Sequence, residues 1–305
     1  MAHDEPSALR YTARRVARHL RWLRTEGPRR LIAEDRLDPV ERLRTARAKR
    51  RWRRRHGVAP GTARPVYLVG LQRSGTNMLV RGLDAAPELE VRNENDRHLF
   101  HRFRLRGDDV LLDVIHRSRH AVVLVKPLCD SHRVDELLAL PTPVPGRALW
   151  MWRDVDDRAR SEVAKFGGAN RAGLRAIADG TIGERWQGGR LSAQTRRLLA
   201  SFDYDRMDPH TAAALFWYVR NDLYFRLGLD RRDDVLLVAY GDVVRDPQGA
   251  ARRLCAFLGL PYRPEFAADV AGPPSRGPLP IDAGVRALCD ELTARLQAAP
   301  AVSRG

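Results

Sequence analysis

Lysine is almost missing from a chain that is nonetheless strongly basic. Of 305 residues, 54 are Lys or Arg against 38 Asp or Glu, giving a formal charge of +16 and a pI near 10.8, yet lysine occurs only at Lys49, Lys126 and Lys165. Arginine therefore carries the charge as a chain-wide habit of composition. The sign of the charge is compatible with nucleic acid, an anionic surface or a polyanionic small ligand, and does not choose among them. Cysteine is equally sparse: Cys129, Cys255 and Cys289 are odd in number and far apart, which argues against a disulfide framework and against a paired zinc site. That usage fits a reducing, intracellular setting. Nowhere do eighteen apolar residues stand together, and the opening Met-Ala-His-Asp-Glu-Pro has no basic segment leading into an apolar run. A cytoplasmic protein is the expectation.

What is present divides into two stretches. Residues 1–60 read as a basic helical extension: arginine-dense, with apolar residues at helical spacing (Val16, Leu20, Leu23, then Val40, Leu43) broken by Pro28 and Pro39. The run Arg51-Trp52-Arg53-Arg54-Arg55 is most simply a solvated helix face. Peripheral membrane contact through this extension stays open, and no specific nucleic acid is expected. After the linker His56 to Pro65, residues 61–305 alternate strand and helix patterns. Strands are expected at 66–71, near 89–92, and at 121–126, 147–152 and 235–240. Such alternation calls for an α/β fold, a P-loop-type parallel sheet flanked by helices. Residues 167–215 are a long insertion suited to substrate recognition.

The first strand runs into Gly70-Leu-Gln-Arg73-Ser74-Gly75-Thr76-Asn77, a Gly-x-x-x-x-Gly turn of the kind that wraps phosphate. In a strand-loop-helix unit the loop amides and the helix N-terminus converge on one anion. Nucleotide triphosphatases and kinases also need a lysine after the second glycine. Here Thr76 stands in that place, and the cation is Arg73, two residues before the glycine. A small-molecule or nucleotide kinase is thereby disfavoured but remains an alternative, as does a basic nucleic-acid or membrane-surface binding protein.

A second anion site is offered by Trp152-Arg153-Asp154-Val-Asp156-Asp157-Arg-Ala-Arg-Ser161, with an arginine at a strand end, Asp154 or Asp156 able to cap the following helix, and Ser161 eight residues on. Taken alone, Arg153 could equally be an ion-pair partner of Asp156 or Asp157. Together the two motifs resemble sulfotransferases that use 3′-phosphoadenosine 5′-phosphosulfate, whose Lys/Arg-Ser/Gly-Gly-Thr loop and Arg-to-Ser spacing occur in this order. Further stretches extend the resemblance to about residues 65–295: Ala239-Tyr240-Gly241-Asp242, with Gly241 in place of the usual Glu, the Asp246-Pro247 helix start, Phe257-Leu258-Gly259, and a late Ser275-Arg276-Gly277 loop. Met78 stands where the cytosolic branch has an aromatic residue.

The resemblance implies that Arg73, Ser74, Gly75, Thr76, Asn77, Arg153, Ser161, Tyr240, Ser275, Arg276 and Gly277 bind this donor, with no metal required. It implies Arg73 and Lys126 beside the transferred group. The histidine that follows the Lys126 strand in the cytosolic branch is absent, since the chain reads Lys126-Pro127-Leu128. Carbohydrate and tyrosyl-protein sulfotransferases instead use a glutamate after the first helix, which points to Glu94 as general base. Glu90 looks like a solvated loop residue, and His98, Asp130 and His132 are the alternatives. The acceptor, a hydroxyl on a small molecule, carbohydrate, lipid or peptide, is not specified by the sequence.

Overall fold

In the computed structural model, residues 39–268, 270, 272 and 276–299 are described. The expectations for residues 1–38, and the expected role of Ser275, lie outside them. The chain divides into two units, Met1–Arg51 and Trp52–Gly305. The described part of the first belongs to α1 (Pro39–His56), which runs across the division and carries four basic residues in its last turn, Arg53 to His56.

The second unit is organised by five short apolar runs. β1 (Arg64–Gly70), β2 (Leu89–Arg92), β5 (Val122–Val125), β6 (Arg147–Trp152) and β7 (Val235–Ala239) form one sheet in the order β2-β5-β1-β6-β7. Every pairing is parallel, with Val66 opposite both Leu124 and Arg147. Because β1, β5 and β6 are buried on both faces, they read as unbroken Val/Leu/Trp runs rather than alternating ones. One face packs with Tyr67, Val69, Trp150 and Trp217, the other with Leu68, Leu149, Leu79 and Leu254. The α/β class with a parallel, helix-flanked sheet is thus the observed one. Among the described residues, no helix is long and apolar enough to cross a membrane.

The helices that matter for function start at the C-terminal ends of the strands. α2 (Thr76–Asp84) follows β1, and a small hairpin, β3 (Phe100–His101) with β4 (Arg104–Leu105), precedes α3 (Asp108–Arg117). A short 3₁₀ segment, Leu128–Arg133, leads from β5 into α4 (Val134–Leu138). β6 feeds α5 (Val155–Phe166), whose first amides at Asp156 and Asp157 are capped by the Asp154 carboxylate at 3.0 Å each. The 167–215 insertion contains α6 (Ala169–Ala178), a 3₁₀ turn at Trp186–Gly188, α7 (Ala193–Ala200) and the start of α8 (Pro209–Asn221). α9 (Leu223–Arg226), α10 (Tyr240–Arg245), α11 (Pro247–Leu258) and α12 (Ala283–Ala298) complete the described helices.

Candidate functional site

The turn after β1 is built by conformations that most side chains avoid. Gly70 has φ +121°, Arg73 φ +70° and Gly75 φ +93°. At Gly75 the absence of a side chain is a packing requirement as well, because a Cβ there would overlap the Tyr240 ring. The loop is bracketed from below by Ser131: its hydroxyl accepts from the Gly70 amide at 2.9 Å and lies 3.0 Å from the Gly70 carbonyl. No side chain caps α2, so the positive end of that helix stays open to an anion. Ser74 is fully buried and its Oγ has no hydrogen-bond partner.

Two side chains converge on this turn, Lys126 from the end of β5 and Glu94 from the turn after β2. Lys126 at the end of β5 donates from Nζ to Asn77 Oδ1 at 2.6 Å and lies 3.4 Å from Glu94 Oε2. Both partners of that pair are largely buried, with side chains 7% and 15% exposed. Burial pushes the Glu94 carboxyl above its ordinary pKa, a rise that the adjacent Lys126 ammonium partly opposes. Glu94 is therefore desolvated by the protein itself, before any acceptor arrives.

The second motif closes on the same turn from β6 and α5. Ser161 accepts from Arg73 Nε at 2.9 Å, so within the protein it meets the loop arginine rather than Arg153. The Arg153 guanidinium stacks 4.4 Å above the Tyr240 ring, with Asp157 3.8 Å away and its buried Nε unpartnered. The Asp157 contact is at the long limit of an ion pair; Asp156 is committed elsewhere, to Arg286 Nη2 at 2.7 Å and the Leu279 amide at 2.9 Å. These bonds, with Arg160 Nη2 to the Gly277 carbonyl at 2.5 Å, moor the Arg276-Gly277 segment to α5. Beside Arg153 opens a cleft of about 750 Å³ walled by Trp152, Tyr240, Asp242, Gly272 and Gln297.

The alternative bases are placed differently. His98 is exposed. Asp130 is buried and engaged by the Leu105 amide at 2.7 Å and Arg104 at 3.3 Å. His132 is held down at about 3 by burial and then by Arg220, Arg104, Arg133 and Arg190, so its ring is neutral at physiological pH. Glu90 corrects the sequence reading: it is no solvated loop residue but sits in β2, half-buried, bonded to Ser118 Oγ at 2.6 Å and to Arg92. Sequence reasoning also passed over Ser131 and Arg286, and it read Asp156 only as a helix cap or a partner of Arg153, whereas the cap is Asp154 and Asp156 holds Arg286. Ser131 lies 61 residues from the glycine it braces and carries no local signal.

Residues 146–264 match the sequence model of the Sulfotransferase family. The resemblance to that family is thereby shown, and the chain is an enzyme of the transferase class. Solved structures with similarity include a sulfotransferase from Alicyclobacillus acidocaldarius, at 19% identity, covering 77% of this chain and 95% of that one with a TM-score of 0.40. The sulfotransferase domain of the curacin biosynthetic pathway matches at 13% identity, covering 76% and 98%, TM-score 0.43. The sulfotransferase domain of the Synechococcus PCC 7002 olefin synthase matches at 14%, covering 76% and 95%, TM-score 0.40. No curated protein sequence matches significantly.

Proposed function

We propose that the chain transfers a sulfuryl group in line from 3′-phosphoadenosine 5′-phosphosulfate to an acceptor hydroxyl. The observation that carries this reading is a pair of buried polar atoms left without partners, Ser74 Oγ in the loop and Arg153 Nε at the end of β6. Buried donors are normally satisfied, and a ligand with one phosphate at each place would satisfy both. The cleft beside Arg153 and Tyr240 is of a size to hold a nucleoside between them.

In this reading Arg73, Ser74, Gly75, Thr76 and Asn77 bind the 5′-phosphosulfate. Arg153, Ser161, Tyr240, Arg276 and Gly277 hold the nucleoside and its 3′-phosphate. Arg73 and Lys126 face charge that develops as the sulfuryl group leaves, and Glu94 takes the acceptor proton. The salt bridge between Lys126 and Glu94 supports this division, because it keeps a cation and a base within one ion-pair distance beside the loop.

Isothermal titration with 3′-phosphoadenosine 5′-phosphate, in chelator, tests the donor. Binding at least as tight as that of ATP is expected. Preference for ATP with magnesium would instead favour a kinase and end the sulfotransferase reading.

A further inference from the structure

Among the described residues, the most deeply buried charge is not one of those that face the donor site. Arg158 on α5 is fully buried, with 0% of its surface exposed. Its Nε donates to the Gln72 carbonyl at 3.2 Å and its Nη1 to the Ala213 carbonyl on α8 at 3.0 Å. Its Nη2 lies 3.0 Å from Glu162 Oε2, one helical turn on, and Glu162 Oε1 in turn accepts from Asn170 of α6 at 2.6 Å. One guanidinium thus joins the phosphate-loop backbone, α5 and α8, and through Glu162 also α6.

The contact with Gln72 bears directly on the strained residue beside it. A peptide unit is planar and trans, so fixing the direction of the Gln72 carbonyl also fixes the Arg73 amide on the opposite side of the same plane. Arg73 is a non-glycine residue in the left-handed region, a conformation that persists only where surrounding contacts hold it. Two contacts do so from one face of α5: Arg158 on the backbone before Arg73, and Ser161, three residues further along the helix, on its side chain.

We propose that Arg158 is a positioning residue of the phosphate loop, fixing the Gln72–Arg73 peptide so that the Arg73 guanidinium and the loop amides are aimed at the anion before it arrives. The loop's set conformation follows from the contacts alone; its consequence for donor affinity rests on the sulfotransferase reading. Glu162 neutralises a cation that would otherwise be buried beside Arg73, and Asn170 holds Glu162 in place. A stability role alone would not need this arrangement, because a buried ion pair is commonly replaceable by uncharged side chains without loss of stability.

That difference gives the test. In the double variant Arg158→Met, Glu162→Gln both charges go and the Asn170 bond has an acceptor left. In Arg158→Lys the pair with Glu162 is kept, but one ammonium cannot serve the Gln72 and Ala213 carbonyls together. Hydrogen exchange of the ligand-free proteins is expected to show parental protection in β1 and β6, with amides of residues 73–76 exchanging at least tenfold faster in both variants. Titration should then show 3′-phosphoadenosine 5′-phosphate bound tenfold or more weakly, with the KM of the acceptor unchanged. Parental exchange at residues 73–76 in the double variant would overturn the proposal, as would loss of protection across the whole sheet in both variants. Should the parental protein not bind this nucleotide at all, the donor reading fails, while the exchange measurement still decides the role of Arg158.

Discussion

Glu94 combines two environments that pull its proton in opposite directions. Desolvation raises its pKa, and Lys126 at 3.4 Å lowers it, with the rise prevailing. A carboxylate tuned upward is a better match to a hydroxyl proton than an ordinary one, and it must be ionised to act. Turnover is therefore expected to fall as pH drops through the elevated carboxyl pKa, at a higher pH than an ordinary glutamate would give. Glu94→Gln keeps the size of the side chain and removes its basicity. Single-turnover transfer should slow by roughly 10² to 10⁴-fold and lose that acid limb, while nucleotide affinity by titration stays within about twofold. A near-parental rate in the Gln variant would remove Glu94 from the chemistry and turn attention to Asp130, since His98 is exposed and His132 is packed neutral among arginines.

At the scale of elements, the junction of β6 and α5 carries both an arginine at a strand end and a helix that braces the loop. Arg153 is stacked on Tyr240 and only distantly paired, so it has hydrogen-bonding capacity to spare. Arg153→Ala is expected to weaken 3′-phosphoadenosine 5′-phosphate roughly ten- to hundredfold, as loss of a charge-assisted pair commonly does, while leaving the analogue without the 3′-phosphate nearly unaffected. Equal weakening of both ligands would make Arg153 a structural residue.

The same junction shows what the sequence could and could not convey. β6 lies at the expected residues 147–152, and β1 and β7 differ from expectation by one or two residues at their ends. Buried parallel strands declare themselves as apolar runs, whatever surrounds them. The β3–β4 hairpin gave no such signal because strands of two residues show no periodicity. Arg158 was hidden for another reason. In a chain whose cations are nearly all arginine, one more arginine in an arginine-rich helix looks like solvated surface, and only the fold shows that it points inward. The pairing of Ser161 with Arg73 was likewise hidden, because it joins residues 88 apart.

For the molecule as a whole, the sheet order has a consequence for synthesis. β1 is the central strand, yet both neighbours that flank it, β5 and β6, follow later in the chain, and β6 ends at Trp152. At about 5–20 residues per second, a ribosome needs on the order of 4–16 s to go from Gly70 to Trp152. Until β5 is made, at Val125, the apolar β1 has no partner on either edge, and until β6 ends it lacks one on its second edge. The phosphate loop, hung from the end of β1, takes its shape later still, when Ser131, Arg158 and Ser161 have all emerged. Arrested nascent chains probed by pulse proteolysis should therefore leave β1 cleavable when stalled with residues up to 130 outside the exit tunnel, and protect it only once β6 and α5 have cleared. Protection at the shorter length would mean that β1 and β5 close without β6. For this enzyme the hazard of misassembly is concentrated in a window of seconds during its own translation, the period in which chaperone capture of β1 matters most.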